Sequence, residues 1–129
     1  TYHGFQPNHV VRDALQNSHI FAFPSIWQET SCIAAIEAMS AGCEVVCPNL
    51  AALPETTAGF ATMYQFNEDM NQHANVFANV LHNSIIRHRD EDNQKKLLFQ
   101  KNYVDNFYNW EVRSAEWTGL LQGLRNIPR

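Results

Sequence analysis

Apolar and polar positions divide the chain into two stretches of different character. Up to Phe66, short apolar runs alternate with segments of helical spacing; beyond Asn67 only the helical spacing remains. "TYHGF" (Thr1 to Phe5) reads as a short strand ending at a glycine. Gln6 to Ser18 opens with Pro-Asn and continues as a helix, with Val10, Val11, Ala14 and Leu15 on one side. "HIFAFP" (His19 to Pro24) is a brief apolar run stopped by proline, the mark of a buried strand. Ser31 to Ala41 follows as a helix closed by Gly42. "CEVVCP" (Cys43 to Pro48) is the next strand, Leu53 to Gly59 a short helix or turn, and Phe60 to Phe66 another strand. Strand, helix, strand, helix, strand is the order of right-handed crossovers that build a parallel sheet. The expected fold class is therefore α/β.

Three helices are expected in the second stretch. Met70 to Arg87 carries Ala74, Phe77, Leu81 and Ile85 at helical spacing. Asp90 to Phe107 is more polar, with Leu97, Leu98 and Val104 as its apolar marks. Asn109 is an N-cap for a last helix on which Trp110, Trp117, Leu121 and Leu124 recur, the two tryptophans expected in its core. The chain reads as one domain over residues 1–129. Residues 1–66 form the β/α part and residues 67–129 the C-terminal helices, without an internal repeat or a linker.

Composition narrows the function classes. The net charge of −4 excludes the electrostatic footprint of a nucleic-acid binder. No apolar run approaches a membrane span, and the start has no signal-peptide pattern. Cys32, Cys43 and Cys47 are odd in number and lack framework spacing, which fits a reducing compartment. No neighbouring His or Cys pair completes a zinc site around them.

The candidate chemistry lies in "PSIWQETSCIAAIEAMSAG" (Pro24 to Gly42). Two glutamates, Glu29 and Glu37, have seven residues between them, in a segment otherwise small and apolar. In an open parallel sheet, ligands bind beyond the C-terminal ends of the strands. The "PSIWQE" loop leaves such an end and Ser31 opens a helix beside it. The first amides of a helix have no intrahelical partners, and with the helix dipole they suit a phosphate. A helix apolar nearly all round is expected to be buried between layers. Glu37 would then need hydrogen-bond donors, and sugar or ribose hydroxyls would supply them. A structural alternative stands beside this. Glu29 as a loop residue favoured by the dipole, and Glu37 paired with a lysine or arginine or turned to solvent, account for the same spacing.

The longer string "FPSIWQETSCIAAIEAMSAGCEVV" resembles the donor-binding motif of retaining glycosyltransferases of the GT-B fold, the large family 4 group. Pro24, Ser25, Glu29, Glu37, Ala38, Gly42, Val45 and Val46 fall in place, and "LPE" (Leu53 to Glu55) matches the next stop of that pattern. "YHGF" and "NFYNWEVRSAEW" resemble flanking segments of the same enzymes. The resemblance implies half of a Rossmann-like domain, the C-terminal one of the GT-B pair. Glu29 would lie near the donor sugar as the catalytic carboxylate. The amides of Thr30, Ser31, Cys32 and Ile33 would face the donor sugar and diphosphate, and Glu37 would hold the ribose hydroxyls. The donor would be a nucleotide-diphosphate sugar, with no cofactor and no metal. The acceptor would be a saccharide, glycolipid or protein, and the location cytoplasmic, with peripheral membrane attachment as a variant.

Two departures bear on pocket shape. Cys32 stands where many such enzymes carry glycine, and Ala51-Ala52 stand where many have Gly-Gly. The diphosphate clamp and most base recognition would lie upstream, since no lysine precedes Lys95. The chain is thus expected to be a fragment of a longer enzyme, partnered by an N-terminal GT-B domain and inactive alone. A strand edge exposed along Thr1 to Phe5 would invite self-association. The alternative is a non-catalytic nucleotide- or sugar-phosphate-binding module of the same fold. The roles of the other polar residues are open: His3, His9 and His19 near element ends, Trp27 at a cleft mouth or packed on a helix, and Cys32 with a lowered pKa at a helix start or simply a small packing residue.

Overall fold

A computed structural model describes residues 1–127. Its elements alternate as the pattern demands: α1 (Asn8–Gln16), β1 (Ile20–Ala22), α2 (Ile33–Ser40), β2 (Glu44–Asn49), α3 (Leu53–Thr56), β3 (Thr62–Gln65), α4 (Met70–Arg87), α5 (Glu91–Phe107) and α6 (Trp110–Arg125). The three strands form one parallel sheet in the order β1-β2-β3, with Phe21 beside Val45 and Cys47 beside Met63. This is half of a Rossmann-like domain followed by helices.

The central strand fixes the layers. Glu44, Val45, Val46, Cys47 and Pro48 are all buried, as a strand covered on both faces must be. Side chains alternate along a strand. Cys43, Val45 and Cys47 join Ala35, Ala38 and Met39 of α2, Leu15 of α1 and Val104 of α5 in the main core. Glu44 points the other way, where Ser84 and Arg87 of α4 meet it. Five buried apolar positions of α2 and β2, Ala35, Ala38, Met39, Val45 and Cys47, are wholly inaccessible. Filling that contact supplies much of the fold's hydrophobic stabilisation at about 25 cal/mol per Å².

Gly42 ends α2. Its φ of 91° is in the left-handed region, which a glycine adopts without a Cβ clash. The Cys43 amide then reaches back to the Ala38 carbonyl at 2.9 Å and the Gly42 amide to that of Met39 at 3.1 Å. These two bonds are a Schellman closure, and they turn the chain straight into β2.

Four expectations are corrected. Thr1 to Phe5 forms no strand; Tyr2 and Phe5 are almost fully exposed and Gly4 has a φ of 66°. A strand exists through its ladder partners, and no described strand lies alongside this segment, so no strand edge is exposed there. α4 keeps its expected bounds but buries His73 and Ser84, while Ile85 is exposed. The polar pair is buried because it has partners: Tyr64 for His73 at 3.1 Å, and Glu44 for Ser84 at 2.9 Å. On α5, Leu97 and Val104 are buried while Leu98 is exposed. α6 buries none of its residues, and Trp110 and Trp117 are 88% and 62% exposed rather than core. Asn109 does cap it, accepting from the Val112 amide at 2.9 Å.

Candidate functional site

The site grows from the loop after β1. The Phe23 amide makes a last sheet bond to the Val46 carbonyl at 2.9 Å, and Pro24, with no N–H, ends the pairing. The loop then folds on itself: the Trp27 amide bonds Ser25 Oγ at 3.2 Å and the Glu29 amide bonds the Trp27 carbonyl at 3.0 Å. The Glu29 carbonyl accepts from the Ala52 amide at 3.1 Å. Glu29 therefore ties together the loops that leave the C-terminal ends of two neighbouring strands. Its partner loop contains Ala51 at a φ of 49°. A left-handed φ, which glycine adopts most readily, is held at Ala51 by an alanine, while Ala52 is ordinary helical backbone.

α2 begins at Ile33, two residues later than the sequence pattern gives. Cys32 is its cap residue, with extended dihedrals and no capping side-chain bond. The Ala35 and Ile36 amides bond the Cys32 carbonyl, so the amides of Ile33 and the residues before it have no helical acceptor. A short polar N-cap would have filled that space. The Cys32 thiol is not activated. Burial pushes its pKa up, the Ala35 and Ala34 amides work against that, and the nearby Glu29 charge raises it further. Cys47, beneath it on β2, is pushed to about 12 by burial and by Cys32. Both thiols are packing groups, and Cys32 is 5% exposed.

Glu37 lies one turn further along α2. Its side chain is 25% exposed and its Oε1 takes two contacts from α1: Asn8 Nδ2 at 3.2 Å and Arg12 Nε at 3.6 Å. It borders a cleft of about 940 Å³ between α1 and α2 on one side and α5 and the start of α6 on the other. Ser31 and Ile33 border the same cleft, as do Lys101, Asp105, Trp110 and Arg113. The structure thus brings Ser31, Ile33 and Glu37 to one wall. Glu29, half-buried, Thr30, exposed, and Cys32, buried, are not in that lining. Ile33 is 70% exposed, so α2, although packed on β2, α1 and α5, is open at its start and not covered all round as its composition led us to expect.

Three cations (Arg12, Lys101, Arg113) and two carboxylates (Glu37, Asp105) border the cleft, an excess of one positive charge in a chain of net charge −4. All three cations are in ion pairs, Arg12 with Glu37. Lys101 bonds the Ser40 carbonyl and Asp105 Oδ2 at 2.5 and 2.8 Å. Arg113 bonds Glu116 and the Phe107 carbonyl, each at 2.7 Å, and lies over the Phe107 ring. Burial opposes ionisation of Asp105, but bonds from Lys101 and Ser40 outweigh it and hold its pKa below the usual range. Sequence reasoning missed Asn8, Arg12, Lys101 and Asp105. The signal was present for α1: Asn8, Arg12 and Leu15 fall on one helix face, and Leu15 marks that face as the packed one.

The family model for Glycosyl transferases group 1 matches residues 1–97. The match takes in α1, the whole sheet, α2 and α4, so the chain belongs to the glycosyl transferases group 1 family. No curated protein and no solved structure matches it. No described helix is long and apolar enough to cross a membrane.

Proposed function

We propose that this chain is the donor-binding part of a glycosyltransferase that moves a sugar from a nucleotide-diphosphate sugar to an acceptor with retention. One observation carries the reading: Ser31 and Ile33 at the unpartnered start of α2, and Glu37 one turn on, share one wall of a single cleft. A diphosphate at the helix start would accept from amides that have no helical carbonyl. Glu37 would accept from the ribose hydroxyls a turn away, and Thr30 and Cys32 would add their amides to the anion site. Glu29 would stand near the transferred sugar as the catalytic carboxylate, held by its backbone between the two loops. The acceptor, a saccharide, glycolipid or protein, would meet the donor from an N-terminal domain of the same enzyme. A cytoplasmic location suits a reaction that draws on a nucleotide sugar.

Transfer depends on holding donor and acceptor in reacting geometry, which supplies roughly 7–11 kcal/mol of the barrier. On this reading the described residues would supply donor contacts, and turnover by these 129 residues is not expected. Glu37→Gln keeps the size and removes the charge, and should weaken nucleotide-sugar binding by about 1–3 kcal/mol. Calorimetry on the intact enzyme tests this; unchanged donor affinity contradicts the ribose role.

A further inference from the structure

We infer that Asn8 and Arg12 of α1 are positioning residues for Glu37, engaging its Oε1 so that its Oε2 is turned to a ligand hydroxyl. The inference rests on the donor-site reading above and concerns what orients its carboxylate. Asn8 and Arg12 are four residues apart and so lie one above the other on α1. Both reach the same oxygen, Oε1, at 3.2 and 3.6 Å. Among the described residues, Oε2 makes no hydrogen bond or ion pair. An unrestrained glutamate would spread over several rotamers, and holding one oxygen removes most of that freedom before a ligand arrives.

α1 itself is held in place to do this. Leu15, two turns beyond Asn8, is 9% exposed and belongs to the main core. The Cys43 thiol donates to the Leu15 carbonyl at 3.2 Å, and lies 3.4 Å from the Ser18 carbonyl. The register of α1 against α2 is therefore set by packing below the cleft, and the polar pair above inherits it. Arg12 also differs from the other two cleft cations. Its Nε faces Glu37, its side chain is 65% exposed, and among the described residues its terminal nitrogens bond nothing. Lys101 and Arg113 are tied to Asp105 and to Glu116. Arg12 thus balances the Glu37 charge and leaves donors facing the cleft, which suits a ligand that joins hydroxyls to an anion.

The test compares a ribonucleoside diphosphate with its 2′-deoxy and 3′-deoxy analogues, by NMR titration of the 129-residue chain. UDP, GDP and ADP are tried first, and the tightest is taken forward. The unmodified chain should prefer the ribonucleotide over at least one deoxy form. The double variant Asn8→Ala, Arg12→Gln should lose that preference by about twofold to fivefold, the size expected of exposed polar pairs. Its melting temperature should be unchanged, because both side chains are exposed. Arg12→Lys should restore part of the preference. A structural role alone would move the melting temperature and weaken ribo and deoxy forms equally. Preference lost with an unchanged melting temperature supports the inference. Preference kept in the double variant overturns it while the ribose role of Glu37 stands. No preference in the unmodified chain overturns both.

Discussion

Glu44, the first residue of β2, and Arg87, the last of α4, meet at 2.5 Å although Glu44 is 1% exposed. The same carboxylate accepts from Thr62 at 2.6 Å, Ser84 at 2.9 Å and Asn93 at 3.3 Å. One buried anion thus joins β2, β3, α4 and α5, its side chain on the face of β2 opposite α2. It is a structural device rather than a catalytic one, since every donor it meets is spoken for within the fold. Removing one partner of such a cluster leaves the rest unpaired. Glu44→Ala should cost about 2–3 kcal/mol in urea unfolding, the lower side of the usual range, because Arg87 is 40% exposed and can turn to water. A loss under about 0.5 kcal/mol would remove the cluster from the account of stability.

The same residue sets an acid limit. Burial alone would raise the Glu44 pKa, but hydroxyls of Thr62 and Ser84 and the Arg87 charge prevail and hold it below its ordinary 4.5. A carboxylate depressed in the folded state takes up its proton more readily when unfolded. Its contribution is therefore full above that ordinary value and is lost as the pH falls through the folded value. Stability measured from pH 6 to pH 3 should decline on the acid side, and Glu44→Gln should flatten that decline. Parallel acid limbs in the two proteins would show that other groups carry it.

Ala51 sits at a φ of 49° in the loop tied to Glu29. A side chain without a branch tolerates that conformation at about 1 kcal/mol, and a β-branched one does so poorly. Ala51→Val should destabilise by about 1–2 kcal/mol. Ala51→Gly should change little, because relief in the folded chain is offset by greater freedom in the unfolded one. Thermal unfolding of the pair checks the sign; equal effects of Val and Gly would contradict a left-handed residue here.

Trp117 is 62% exposed on a helix that buries nothing. Trp117→Ser should therefore shift stability by less than about 0.5 kcal/mol. A loss of several kcal/mol, of the kind that follows removal of a core tryptophan, would mean that α6 packs its tryptophan face.

The sheet and most helices were legible because period and punctuation agreed: Pro24 and Gly42 stop β1 and α2 where their backbones require it. The start of α2 moved from Ser31 to Ile33 because the preceding residues are spent on a loop that reaches Ala52. What failed were readings that depend on a neighbour. "TYHGF" has strand composition but no ladder, and Trp110 and Trp117 have core composition but no covering element. Glu44 was passed over inside an apolar strand, although a lone charge between Cys43 and Val45 is itself a sign of buried partners. Within the candidate site, Glu37 was legible from the "ETSCIAAIEA" spacing, while Asn8 and Arg12 became visible once α1 lay against α2.

The central claim is that the start of α2 holds the anionic part of a nucleotide sugar. Amide-resolved NMR titration of the 129-residue chain with UDP-, GDP- and ADP-sugars tests it most directly. With so few contacts the dissociation constant should be on the order of millimolar. The account predicts the largest shifts at the amides of Thr30 to Ile33 and around Glu37, the latter reduced in Glu37→Gln, with no sugar released or transferred. Shifts centred elsewhere on the chain, with Thr30 to Ile33 unmoved at saturation, would contradict it.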